Sequence, residues 1–101
     1  MSTTHRNKSV VCADGFEMSV QASDGHYCIP REDNAERYTA VEVGFPSTVE
    51  SMLMPFCEDP SKPTETVYAY VPIDKVSLII AKHGGIVSGE LPPGIPYLVA
   101  Q

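Results

Sequence analysis

Apolar and polar positions alternate with period two through residues 16–22, FEMSVQA. Phe16, Met18 and Val20 fall on one face, and Glu17, Ser19 and Gln21 on the other. That pattern predicts a strand with one face buried. Before it, residues 9–13 (SVVCA) favour extended structure through Val10 and Val11. After it, residues 26–29 (HYCI) predict a third short strand, stopped by Pro30. Asp14-Gly15 and Asp24-Gly25 mark the turns between them, so residues 9–29 are expected to form a meander. Its outer strands would stand two inter-strand spacings apart, about 9–10 Å. That exceeds the roughly 7 Å Cα limit for a disulfide, so Cys12 and Cys28 are not expected to pair.

Residues 30–37 (PREDNAER) read as a polar loop, and 38–45 (YTAVEVGF) as the central strand, ended by Pro46. Residues 47–59 fit either a short capped helix cut off by Pro55 or an irregular apolar loop. Residues 64–71 (TETVYAYV) form another strand pattern, with Val67, Ala69 and Val71 on one face and Thr66, Tyr68 and Tyr70 on the other. Residues 73–83 (IDKVSLIIAKH) carry a helical stripe of Ile73, Val76, Ile80 and His83. Asp74 stands at the start, Lys82 and His83 at the end, and Gly84-Gly85 follows; this order matches the helix dipole and a glycine cap. The Pro-rich stretch 86–101 is expected to add an edge strand or to pack against another subunit.

Together these elements predict an α+β fold: an antiparallel sheet of about four to five strands with one helix packed on one face. Residues 1–8 read as a flexible N-terminal tail and 9–101 as a single domain, with 86–101 as its C-terminal extension. The expected core is Val11, Phe16, Met18, Val20, Val41, Val43, Val67, Val71, Val76, Ile79 and Ile80.

The chain has 101 residues, enough for one domain with a thin stability margin. Its apolar fraction of 43% and charged fraction of 20% place it among globular rather than disordered chains. A net charge of −6 opposes general phosphate-backbone binding, so no direct nucleic-acid binding is expected. The acidic residues are thinly spread, which suits a solvated surface better than a DNA mimic. No apolar run reaches the ~20 residues a bilayer span needs. No signal-peptide pattern opens the sequence, and a cytoplasmic protein with no membrane partner is expected.

The residues that could carry chemistry lack its usual spacing. Zinc would need four ligands from His5, His26, His83, Cys12, Cys28 and Cys57, and no C-x-x-C, H-x-x-x-H or H-E-x-x-H occurs. No signature surrounds any cysteine to mark a nucleophile. Lys82-His83-Gly84-Gly85 follows a helix instead of preceding one, so it reads as a cap and not a phosphate cradle. No nucleotide-binding glycine motif is present. Hence no catalytic residues, metal or cofactor are assigned. Tyr and Arg are favoured at binding hot spots, and the candidates are Tyr27, Arg31, Arg37, Tyr38, Tyr68 and Tyr70. The competing reading of Tyr38, Tyr68 and Tyr70 is simple cover for a sheet face.

The segments ADGFEMSVQAS, HYCIPRE, YTAVEVGFPS, LMPFCED, PTETVYAYVP and KHGG, in this order, resemble a family of short uncharacterised proteins of tailed bacteriophages and prophages. The resemblance spans about residues 10–85 and carries no activity or catalytic residues with it. It implies a phage-encoded accessory factor without enzyme activity. The expectation is an anti-defence protein that binds and inhibits a host immune protein such as a CRISPR effector. One alternative is an oligomeric sponge for a cyclic nucleotide or related immune signal. The other is a small thiol or metal-binding protein. A homo-oligomer is compatible with each.

Overall fold

The computed structural model describes residues 6–101. His5 and residues 1–5 of the expected tail lie outside the described residues. The elements in order are β1 (Val10–Cys12), β2 (Glu17–Gln21), β3 (Ala40–Gly44), a 3-10 turn (Met54–Phe56), β4 (Val67–Pro72), α1 (Ile73–Lys82) and β5 (Ile86–Ser88). The fold is α+β: a five-stranded antiparallel sheet in the order β4-β3-β2-β1-β5, with one helix.

Register explains which side chains are buried. Val10 faces Met18, Val20 faces Val43, Val43 faces Tyr68, and Val41 faces Val71. These residues share one face of the sheet and form a single core with Val76, Ile79 and Ile80 of α1. Val11 and Val67, expected in the core, are only half-buried, because their register places them on the opposite face from Val10 and Tyr68. Val10, Cys12, Tyr38, Leu53, Tyr68 and Ile86 are buried with the core instead.

Every neighbouring pair of strands is antiparallel, so β4 and β5 point the same way at opposite edges. The link between them must recross the whole sheet, about 19 Å over four spacings of ~4.8 Å. Ten helical residues, at 1.5 Å each, supply about 15 Å of that span. Where α1 stops is set locally. Gly84 donates to Ala81 and Gly85 donates to Ile80, the two bonds of a Schellman cap, and both glycines have positive φ.

The expected third strand at 26–29 does not form. His26 N–H donates to Ser23 and Cys28 N–H to His26, which curls the chain, and only Ile29 bridges to Ala40. On that side the neighbour of β2 is β3: three consecutive pairs set Val20 against Val43, and Val41 and Val43 are buried in the core. The geometric argument about Cys12 and Cys28 therefore loses its premise. Both are nonetheless free thiols, as is Cys57.

The alternation expected through 64–71 is broken by a bulge. Val43 pairs with Tyr68 and Val41 with Val71, so Ala69 and Tyr70 together oppose Glu42. Tyr68 and Val71 are thereby both buried. Residues 47–59 fold as turns around the 3-10 turn and bury Leu53. The C-terminal stretch adds β5 beside β1 and then returns: Ile86 N–H donates to Leu98, and Ala100 N–H to Ile86. At the N-terminus, Asn7 exchanges two hydrogen bonds with the buried Gln21 side chain, and Lys8 pairs with Glu90. Residues 7–8 are thus tied to the domain and do not belong to a free tail.

Gly85 is the position where the returning chain comes closest. A Cβ there would meet Ala100 backbone atoms at 2.8 Å, in a residue with φ +90°. Gly85→Ala is expected to destabilise by about 2–3 kcal/mol, from backbone strain plus the forced shift of 99–100. Urea unfolding checks this, with Gly15→Ala as a control for φ strain where a Cβ meets nothing within 4 Å.

Candidate functional site

Two groups of polar and aromatic side chains stand out, and they differ in whether their hydrogen-bonding capacity is free. The first gathers at the C-terminal end of α1. His83 follows the helix, Asp14 lies in the β1–β2 turn, and Glu50 comes from the loop after β3. His83 Nδ1 is 2.6 Å from Asp14 Oδ2, and its Nε2 is 2.7 Å from Glu50 Oε1. Glu50 Oε2 accepts from Lys82 Nζ and from Met52 N–H, both at 2.9 Å. The Phe16 ring stacks on the imidazole, with centroids 4.1 Å apart and planes 11° from parallel.

Both imidazole nitrogens face carboxylates, and only the imidazolium has two N–H groups to donate. Burial alone would lower the His83 pKa, but the hydrogen bonds to Asp14 and Glu50 and their charges outweigh it and hold the pKa above its ordinary value. Burial pushes Glu50 up, but the Met52 N–H, His83 and Lys82 together bring it below the usual range. Asp14 is lowered first by the Phe16 N–H and then by His83. The helix C-terminus and the aromatic face both favour the cation.

Such a histidine has no lone pair left for a proton or a metal. An open depression runs beside it, lined by Asp14, Gly15, Phe16, Ser47, Thr48 and His83, yet the ring nitrogens point to carboxylates. Ser47 Oγ is tied to β2, where it accepts from Glu17 N–H. Among the described residues, no group of three or more His, Cys, Asp or Glu is placed to hold a metal ion. Burial pushes the Cys12 and Cys28 thiols up, away from the reactive thiolate. The His83 cluster is an ionic clasp between helix, hairpin and loop.

The second group is exposed. Tyr27 and Tyr70 have ring centroids 5.9 Å apart at a 45° tilt, and the Arg31 guanidinium lies 5.3 Å from the Tyr27 centroid. Tyr70 is the second bulge residue of β4 and has φ +53°, in the left-handed region that a bulky side chain rarely adopts. The bulge leaves its N–H outside the ladder, and that N–H donates to Tyr27 C=O at 3.1 Å. Tyr27 N–H in turn donates to Glu42 Oε1, and Arg31 Nε donates to Asp24 C=O. Three segments distant in sequence thus hold two tyrosines and an arginine together at the surface.

The other sequence candidates separate from this group. Tyr38 and Tyr68 are core residues. Tyr38 Oη donates to Glu32 C=O and accepts from Ala35 N–H, and Tyr68 Oη donates to Pro63 C=O. Burial, with the nearby Cys57 sulfur, pushes the Tyr68 phenol up to about 12. Arg37 is exposed beside Gly94 and takes no part in the ring contacts. Asp14, Glu50 and His83 were not singled out in the sequence as one cluster. Nothing local marked them, since Asp14 reads as a turn residue and His83 as a helix end.

No protein-family model matches the chain, and neither a curated protein nor a solved structure was found to be similar to it. Among the described residues, no helix is long and apolar enough to cross a membrane.

The clasp makes stability depend on pH in a fixed direction. The His83 pKa is raised, so its contribution is full below the ordinary imidazole value near 6.5 and is lost as pH climbs through the folded value. The carboxylate pKa values are lowered. Their contribution is full above the ordinary range near 4 and is lost as pH falls through the folded values. Stability is therefore expected to plateau between about pH 4.5 and 6.5 and to fall on both sides. His83→Gln should flatten the alkaline limb in urea titrations across pH. It should also cost about 2–3 kcal/mol at pH 6, because Glu50, only 2% exposed, loses one of its two charged partners.

Proposed function

We propose that this protein is a non-catalytic binding protein, a phage-encoded anti-defence factor that occupies a surface of a host immune protein such as a CRISPR effector. The observation that carries the binding part is the exposed Tyr27–Arg31–Tyr70 patch, with Tyr70 held at positive φ by its N–H bond to Tyr27 C=O. A tyrosine at positive φ costs about 1–3 kcal/mol, and such strain gathers at sites where a side chain must be presented in one direction. Tyrosine and arginine supply large rigid contact area and charge-assisted hydrogen bonds, the usual makings of a hot spot. The anti-defence role and the immune partner rest on the resemblance to phage proteins and on the acidic charge.

The carboxylates against both His83 nitrogens and the burial that pushes the Cys12 and Cys28 thiols up support binding over catalysis. A second reading has a specific motive in the same patch. Two tilted rings with a guanidinium beside them also suit a nucleobase and its phosphate, as in a sponge for a nucleotide signal. Native mass spectrometry of protein purified from bacteria separates the two. Retained mass of nucleotide size favours the sponge, and a bare chain that captures a host immune protein favours the inhibitor.

Tyr70→Gly gives the sharper test. Glycine adopts φ +53° without strain, so stability should change by less than about 1 kcal/mol, in either direction. Capture of the partner should weaken about thirtyfold, the loss of about 2 kcal/mol typical of a hot spot. Protection of phage in an immune host should fall with it. A Tyr70→Gly protein that is folded and fully active would exclude the patch as the binding site.

A further inference from the structure

The two edges of the sheet are treated differently. At the β4 edge, Cys57 bridges to Tyr68, Glu58 N–H donates to Val67, and the Tyr70 bulge interrupts the ladder. That edge is covered and bent, as edges usually are to prevent further pairing. Beyond β5, residues 98–100 form a parallel neighbour: Leu98 C=O accepts from Ile86 N–H, and Ala100 N–H donates to Ile86 C=O. In a ladder, the residue between two inward-bonded groups points its own N–H and C=O outward. That residue is Val99, and among the described residues its backbone makes no hydrogen bond.

The side chains at this edge are apolar and exposed. Val99 is 61% exposed and Val87, on the adjacent strand, 64%; Tyr97 and Leu98 are exposed beside them. Residues 91–101 contain no charged residue, in a chain with thirteen acids and seven bases. Two copies each carrying −6 would repel across most surfaces, and this stretch is where they meet without opposing charge. Pairing two identical segments antiparallel about a two-fold axis at Val99 is self-complementary: one Val99 donates to the other and accepts from it. The apolar side chains of 97–99 then lie beside their own counterparts across the axis.

We infer that the 97–100 edge pairs two copies of this chain through Val99, joining their sheets into one continuous sheet. The pairing is separate from the Tyr27–Arg31–Tyr70 patch and leaves both patches of the dimer free.

Sedimentation of the full chain tests it. The wild-type protein should be a dimer at tens of micromolar. Val99→Lys places two cationic side chains side by side across the axis, with Cβ atoms about 5 Å apart, and should be monomeric, with its circular dichroism unchanged because the side chain is exposed. The Val99 amide offers an independent readout by hydrogen exchange, since nothing within the chain protects it. Its exchange should slow by at least about tenfold between dilute and concentrated wild-type protein. A wild-type monomer at several hundred micromolar would overturn the inference. So would a Val99→Lys dimer, or a Val99 amide that exchanges rapidly at every concentration.

Discussion

A positive charge on His83, held between Asp14 and Glu50, is the interaction on which the arrangement of this fold turns. The helix has to carry the chain from one edge of the sheet to the other. The last carbonyls of that helix need partners. The Schellman cap at Gly84-Gly85 satisfies two of those carbonyls and turns the chain toward β5. The imidazolium then fixes the same point sideways, to the β1–β2 turn and to the loop after β3. Backbone bonds from Ala13 to Gly85 and from Asp14 to His83 run parallel to it. Glu50 is the costly member. A buried carboxylate is tolerable only because Lys82, His83 and the Met52 N–H all converge on it.

With that corner fixed, the sheet can carry irregularities elsewhere. The β4 bulge is the largest of them. It turns Tyr68 inward, so that its hydroxyl reaches Pro63, and it turns Tyr70 outward onto Tyr27. A regular strand would have put Tyr68 and Tyr70 on the same face. The bulge therefore gives two tyrosines, two residues apart, opposite roles in the fold. The same departure from regular pairing closes the β4 edge. The opposite edge, at Val99, stays regular, open and uncharged.

The histidine cluster also shows why residue types alone mislead about chemistry. A histidine flanked by two carboxylates near a serine and a surface depression could suggest a catalytic site, but here both ring nitrogens lie against carboxylates and Ser47 Oγ accepts from Glu17 N–H. The exposed tyrosines have the reverse character. Their N–H groups are bonded, to Tyr27 C=O and to Glu42, while their rings stay exposed at the surface.

Local pattern was enough for several elements. Alternation in 16–22 specified β2, and the sequence from Asp74 to Gly84-Gly85 specified α1 with its polarity and its end, because period, dipole and glycine cap are properties of neighbours in the chain. Pro46 and the β-branched run before it likewise specified β3. What adjacency cannot carry is the partner of a strand or the far end of a side chain. Residues 26–29 look as extended as 40–44, and only the fit of Val41 and Val43 into the core chose between them as neighbours of β2. The bulge that separates Tyr68 from Tyr70 has no signature in TVYAYV, since it depends on Glu42 and Tyr27 across the sheet. Glu50 is a polar residue in an unreadable loop until His83, 33 positions later, is brought to 2.7 Å from it. The sequence by itself determined β2, the position of β3, and α1 with its end, whose energies are local. The tertiary structure decided the pairing, the clasp and the surface patch, because each is a bond between groups that only folding brings within reach.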